Sequence, residues 1–297
     1  MTVSSATLPA STAEELFLAD RTGWEAFALR YQLAVPDRHR SARAGDLAGR
    51  RTGSSVEFQD RKDFVPGDDL RHVDWRGYAR NDRMTVKLFR EEITPVVDII
   101  IDGSASMSVT LEKAARRAGL GYLFSLLSRK LHAMVRVHRV SDRIVRMYSA
   151  EEILRNPDTR YTNPLLPLAG SAATRPGGIK VFISDFLFPL VPSDLINCFR
   201  GADRVIAVQV LSSFENDPEA DLAVGAMLRL EDAEADFHLD VRLDRNTIDG
   251  YRKRLGALRS GLDQALRSTG GCFAVALDRE SLDDTVRKLL ETGALAL

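Results

Sequence analysis

The chain has 297 residues, 44% hydrophobic and 28% charged, an ordinary globular balance that excludes collagen-like, disulfide-stapled and wholly disordered classes. With 41 Lys and Arg against 42 Asp and Glu, it has no bulk charge with which to draw in DNA or an acidic membrane. The two cysteines, Cys198 and Cys272, stand far apart beside apolar runs and read as reduced core residues. No export signal or membrane-spanning run is visible, so a soluble, cytoplasmic protein is expected.

Three zones follow one another. Residues 1–40 hold a Ser/Thr/Ala-rich tail and a helix predicted over Ala13 to Leu33. Residues 41–95 have few apolar runs, many Arg and Asp, and repeated glycine turns. Residues 96–297 alternate β-branched runs with helical periods. The run VVDIII, Val96 to Ile101, reads as a strand between Pro95 and Gly103. Leu111 to Leu131 sets apolar residues at three- and four-residue steps, with Glu112, Lys113, Arg116 and Arg117 between them, as an amphipathic helix does. Gly119 and Gly121 give a fragment of a G-x-G motif inside that helix, which points to close helix packing. Met134 to Val140 and Ile144 to Tyr148 read as a strand pair. Further strands are predicted at Ile179 to Ser184, Arg204 to Leu211 and Cys272 to Leu277. Helices are predicted near Ser193 to Phe199, Thr247 to Ser268 and Ser281 to Glu291, the last opened by Ser281 and Asp284 at capping-box spacing. The alternation predicts an α/β fold: a doubly wound, mostly parallel, Rossmann-like sheet behind an N-terminal Arg/Asp-rich lobe.

In such folds ligands bind beyond the carboxyl ends of the strands. Asp102, Ser104 and Ser106 stand there, in IDGSASM directly after the first buried strand. Three oxygen-bearing side chains at alternate positions can converge on one point, and such a set suits a hard divalent cation such as Mg²⁺. Asp185 ends a second buried strand, and Thr162 lies between the two. Asp102, Ser104, Ser106, Thr162 and Asp185 would hold the ion with only two formal negative charges, leaving it electrophilic and open to a further oxygen donor. A helix cap and turn without metal is the plainer reading of D-x-S-x-S alone; the strand context and Asp185 favour the metal. A haloacid-dehalogenase-type phosphotransferase would want an Asp where Ser104 stands. No G-x-S-x-G, H-E-x-x-H or P-loop motif occurs, and the five histidines show no ligand spacing.

The Asp, two Ser, distant Thr and distant Asp resemble the metal-ion-dependent adhesion site of von Willebrand factor A-type domains. There Mg²⁺ is completed by an acidic residue of a partner. Val56 to Trp75, VEFQDRKDFVPGDDLRHVDW, then Ala79-Arg80 and Val86-Lys87 just before the metal loop, resemble the bacterial domain of unknown function 58 family. The resemblance implies a von Willebrand factor A-like domain over 96–297, a bound Mg²⁺ or Mn²⁺, and a MoxR-type AAA+ ATPase as partner. Many members begin with transmembrane helices; no such run is read in these residues, so no membrane span is expected. Thr159 is an alternative to Thr162 as the site threonine.

Within residues 41–95, Pro66-Gly67-Asp68-Asp69 is a turn signature. Arg71, Asp74, Trp75, Arg76 and Arg80 make a candidate interaction surface, an arginine and aromatic set of the kind enriched in hot spots. The same residues could instead form an internal Arg–Asp lattice. The interleaved acids count against nucleic acid. Two functions follow: a non-enzymatic, metal-dependent protein-binding module, or a metal-dependent hydrolase or phosphotransferase using Asp102 and Asp185.

Overall fold

Helix α1 (Ala10–Arg30) buries Phe17 and Trp24, seven residues apart on one face, and runs into the short strand β1 (Gln32–Leu33). Strand β2 (Val56–Asp63), helix α2 (Trp75–Asn81) and strand β3 (Thr85–Glu91) follow, then β4 (Val96–Asp102), α3 (Leu111–Lys130), β5 (Met134–Val140) and β6 (Ile144–Met147). Two short helices, α4 (Glu152–Arg155) and α5 (Leu165–Ala172), lead to β7 (Ile179–Ser184), α6 (Pro192–Cys198), β8 (Arg204–Leu211) and α7 (Ser213–Asn216). The chain closes through β9 (Met227–Glu231), β10 (His238–Arg242), α8 (Arg245–Arg267), β11 (Cys272–Leu277), α9 (Leu282–Glu291) and β12 (Leu295–Ala296). This computed structural model describes residues 10–35, 56–91, 95–149, 151–155, 165–172, 177–231, 233 and 238–297. They divide into two units, residues 1–34 with 96–297, and residues 35–95.

In the larger unit six strands form one sheet in the order β11-β8-β7-β4-β5-β6, parallel except for β6, which returns antiparallel to β5. Strands β4 and β7 are near-continuous apolar runs because both their faces are covered. Helix α3 carries the chain from β4 to β5, whereas the return through α5 sets β7 on the other side of β4. Right-handed crossovers in opposite directions put their helices on opposite faces. Accordingly α5, α6 and α8 share one core with Ile100, Phe182, Ala207 and Phe273. Helix α3, with α1 along it, takes the other face. The winding reverses between β4 and β7, so the crevice at their carboxyl ends is the topological switch point.

The α1–α3 packing is close. The Phe17 ring meets Tyr122 edge-on at 5.6 Å, the Arg116 guanidinium lies 5.7 Å from the Trp24 ring, and a Cβ on Gly119 would run into the Trp24 indole. The glycine inside the helix is thus a packing residue, as its position implied.

Several expectations are corrected. Helix α1 stops at Arg30 rather than Leu33, because Leu33 pairs antiparallel with Leu295 of β12. Helix α1 lies in the same unit as the sheet. Lys113, Arg116 and Arg117 are buried, not on a polar outer face. Their charges meet distant acceptors: Arg116 donates to Thr285 Oγ1 at 3.1 Å, and Arg117 to the Asp102 carbonyl at 3.0 Å. The hairpin of β9 and β10, helices α4 and α5, and strands β2 and β3 had no counterpart in the sequence reading. Both cysteines are free, Cys272 buried and Cys198 half-buried. Among the described residues no helix is long and apolar enough to cross a membrane.

The smaller unit is a hairpin of β2 and β3 with a bulge between Phe58 and Asp60. Its turn is fixed by Gly67 at φ 113° and by Asp68, whose carboxylate accepts from Val65 N at 2.9 Å and Lys62 at 2.5 Å. Asp74 caps α2 by accepting from Gly77 N at 3.1 Å, and pairs with Arg61 at 3.0 Å and Lys87 at 3.7 Å. Arg71 pairs with Asp69 at 2.6 Å, and Arg80 Nε donates to the Arg76 carbonyl at 3.2 Å. Asp74 therefore takes part in an internal lattice, whereas Arg71, Trp75, Arg76 and Arg80 are exposed.

Candidate functional site

The end of β4 delivers Asp102 to the switch point with its side chain wholly buried. Asp102 Oδ1 accepts from the Ser104 backbone N–H at 2.8 Å, an Asx turn that folds the loop back on itself. One residue beyond the Ile101–Ile183 pair, Ser184 Oγ donates to Asp102 Oδ2 at 2.6 Å. The loop backbone is pinned from below: Arg117 donates to the Asp102 carbonyl at 3.0 Å and Arg139 to the Gly103 carbonyl at 3.1 Å. A Cβ on Gly103 would overlap the Arg139 side chain, so only glycine lets the loop lie this close. The result turns Ser104 and Ser106 to one side, with their Oγ atoms 3.1 Å apart.

Asp185 follows β7. Its Oδ1 accepts from Leu187 N at 3.0 Å and its carbonyl from Gln209 Nε2 at 2.7 Å. The next residue, Phe186, holds φ at 56°, uncommon for a bulky side chain. Its ring is locked against Phe182 at 5.3 Å and Phe273 at 6.2 Å. Asp185 Oδ2 accepts from Lys113 Nζ at 3.1 Å. The same ammonium donates to Glu215 Oε1 at 2.8 Å and to the Ser106 carbonyl at 2.9 Å, which satisfies all three of its protons.

Burial pushes the Asp102 carboxyl up to about 7, with the nearby Asp185 charge adding to it and the Ser104 and Ser184 hydrogen bonds pulling the other way. Burial works against the Lys113 ammonium, but Asp185 and Glu215 more than offset it, and its pKa stands above the ordinary lysine value.

Among the described residues no three His, Cys, Asp or Glu side chains gather as a metal-binding group, so any ion here depends on hydroxyls. That donor set fits a hard cation. Adjacent ligands of an octahedral Mg²⁺ lie about 3 Å apart, and the Ser104 and Ser106 hydroxyls stand at 3.1 Å. Asp102, Ser104 and Ser106 would hold it, while Asp185 is engaged by Lys113. Thr162 and its alternative Thr159 lie outside the described residues.

The sequence reading missed Ser184, Lys113 and Glu215. Ser184 becomes adjacent to Asp102 only through strand order. Lys113 carried a readable signal, since it sits in the first turn of the helix that follows the loop, and helical side chains lean toward the N-terminus. Glu215 closes a capping box with Ser212, accepting from Ser212 N at 2.8 Å, and the S-x-x-E spacing was there to be read.

Residues 60–152 match the family model described as protein of unknown function DUF58. The chain belongs to the DUF58 family. The DUF58 match takes in Asp102, Ser104, Ser106 and Lys113; Asp185 and Glu215 lie beyond it. Two relatives, uncharacterized protein Mb1516 of Mycobacterium bovis and uncharacterized protein Rv1480 of Mycobacterium tuberculosis, are each 28% identical over 275 residues. That alignment covers 85% of this chain and 85% of each relative. Uncharacterized protein MAV169 of Mycobacterium avium is 30% identical over 123 residues, 40% of this chain and 70% of that protein.

Proposed function

We propose that this DUF58 protein is a metal-dependent protein-binding module with a von Willebrand factor A-like architecture, cytoplasmic, which captures an acidic side chain of a partner. The observation that carries the reading is the pair of serine hydroxyls side by side over one buried carboxylate at the switch point. Mg²⁺ or Mn²⁺ bound there would supply an electrophilic coordination position for a carboxylate oxygen. Asp102 provides the one full charge, Ser104 and Ser106 provide neutral oxygens, and Thr162 is the further hydroxyl that the resemblance implies. Arg117, Arg139 and Ser184 hold the loop in shape before any ligand arrives, which lowers the ordering penalty of capture. The same resemblance makes a MoxR-type AAA+ ATPase the partner, for which this chain would act as adaptor in protein assembly or maturation.

Titrating the purified chain with such an ATPase, in Mg²⁺ and in EDTA, tests this. Binding should require the metal and should fall sharply in the Ser104→Ala, Ser106→Ala double variant. A complex that survives both changes undiminished sinks the proposal. The hydrolase or phosphotransferase reading draws on one feature, the Asp102 carboxyl near 7. Metal-dependent phosphoester turnover abolished by Asp102→Ala would select it.

A further inference from the structure

A fully buried lysine at the rim of a metal loop calls for an account, because an ammonium competes with a metal ion for the same oxygens. Lys113 Nζ lies among Asp185 Oδ2 at 3.1 Å, Glu215 Oε1 at 2.8 Å and the Ser106 carbonyl at 2.9 Å. This cage is all oxygen, as a hard cation would choose. The two carboxylates are not held alike. Glu215 is fixed by the cap of α7, where its Oε2 accepts from Ser212 N at 2.8 Å and Ser212 Oγ at 3.0 Å. Beyond Lys113, Asp185 Oδ2 has no other donor among the described residues, and Oδ1 is held by a single backbone N–H. If Asp185 turned away, Lys113 would still be paired with Glu215, so the exchange leaves no buried charge alone.

We propose that Lys113 is the internal counter-cation that sets the divalent-metal affinity of the site. It pairs with Asp185 and Glu215 together, and retreats onto Glu215 when an ion draws Asp185 into its shell. This rests on the reading of the Asp102 loop as a metal site, and it makes that site weak by construction. The ammonium lowers the negative charge that an ion would meet, so retention of the ion comes to depend on the carboxylate that a partner brings. Metal binding and partner binding are thereby coupled.

The two members of the pair make opposite predictions. Mn²⁺ binding to the full chain, followed by electron paramagnetic resonance with Mg²⁺ competition, should tighten by roughly tenfold or more in Lys113→Gln, because a unit positive charge leaves the immediate surroundings of the ion. In Glu215→Gln the ammonium commits wholly to Asp185, and Mn²⁺ binding should weaken. A residue that only supports the fold would shift melting temperature in EDTA in both variants without moving the affinities in opposite directions. Folded Lys113→Gln with unchanged or weaker Mn²⁺ binding overturns the proposal; binding tightened, or gained where the wild type has none, upholds it. Should Lys113→Gln fail to fold, Glu215→Gln decides by itself, and affinity equal to or above wild type overturns the idea. The metal reading fails on a different arm, namely Mn²⁺ binding, by the wild type or by Lys113→Gln, that persists undiminished when Asp102→Ala is added.

Discussion

Strand β4 carries two buried aspartates four residues apart on the same face, Asp98 and Asp102, and their surroundings are opposite in character. Asp98 has Arg136 beside it on β5 and Lys180 beside it on β7. Arg136 forks onto it at 2.5 and 2.8 Å, and Lys180 reaches it at 2.5 Å. Asp102 has Val140 on one side, and on the other the hydroxyl of Ser184. Among the described residues its carboxylate takes only hydroxyl and amide donors. One aspartate is saturated with positive charge and ties three strands together. The other meets no cationic side chain among the described residues, at the carboxyl end of the sheet. The difference lies in the cross-strand neighbours, and it separates a structural ion cluster from a site with room for a ligand cation.

That contrast is broken most severely at Asp98. Asp98→Asn leaves Arg136 and Lys180 facing each other without an anion and should cost about 3–5 kcal/mol in urea unfolding. A loss below about 1 kcal/mol would show that the cluster is not what binds these strands. The next effect is in pH. The folded chain holds a proton on Asp102 up to about 7, whereas the unfolded chain releases it near 4. With EDTA present, stability should be full below about pH 4 and decline by ~2–4 kcal/mol as the pH rises to 7. Asp102→Asn should flatten this slope, and an equally steep slope in that variant would assign it to another group.

Smaller still is the stability change in Ser104→Ala, Ser106→Ala, expected at about 1 kcal/mol or less, with Mn²⁺ binding lost. A large loss of stability would turn the hydroxyl pair into a structural turn. The smallest effect belongs to Arg71, an exposed arginine on an exposed aspartate in the smaller unit. Arg71→Ala should leave the melting midpoint unchanged while partner binding weakens; if neither moves, the docking reading of that surface is wrong.

Much of this was legible because of how parallel strands read. Ile179–Ser184, Arg204–Leu211 and Cys272–Leu277 coincide with their predicted limits, since strands buried on both faces appear as near-continuous apolar runs. VEFQDRKD of β2 gave no such run and emerges only through its pairing with β3. The same holds for MLRLE and HLDVR, whose apolar residues alternate with charges. In the site, the carboxyl-end rule brought out Asp102, Ser104, Ser106 and Asp185. It was silent on Lys113: position in the first helical turn aims that side chain at the loop, but its partners Asp185 and Glu215 stand 72 and 102 residues away.

The two-residue pairing of β1 with β12 has a consequence for the chain as a polymer. With Gln32 opposite Ala296, and Ala34 N–H donating to the Ala294 carbonyl at 3.1 Å, nearly the whole sequence between them is a closed ring fastened by a short clasp. The entropy of closing a ring grows only with the logarithm of its length. A single cross-link between positions 32 and 296 would therefore restrict the unfolded ensemble about as strongly as any one link in this molecule could, by ~5 kcal/mol on the chain-entropy account.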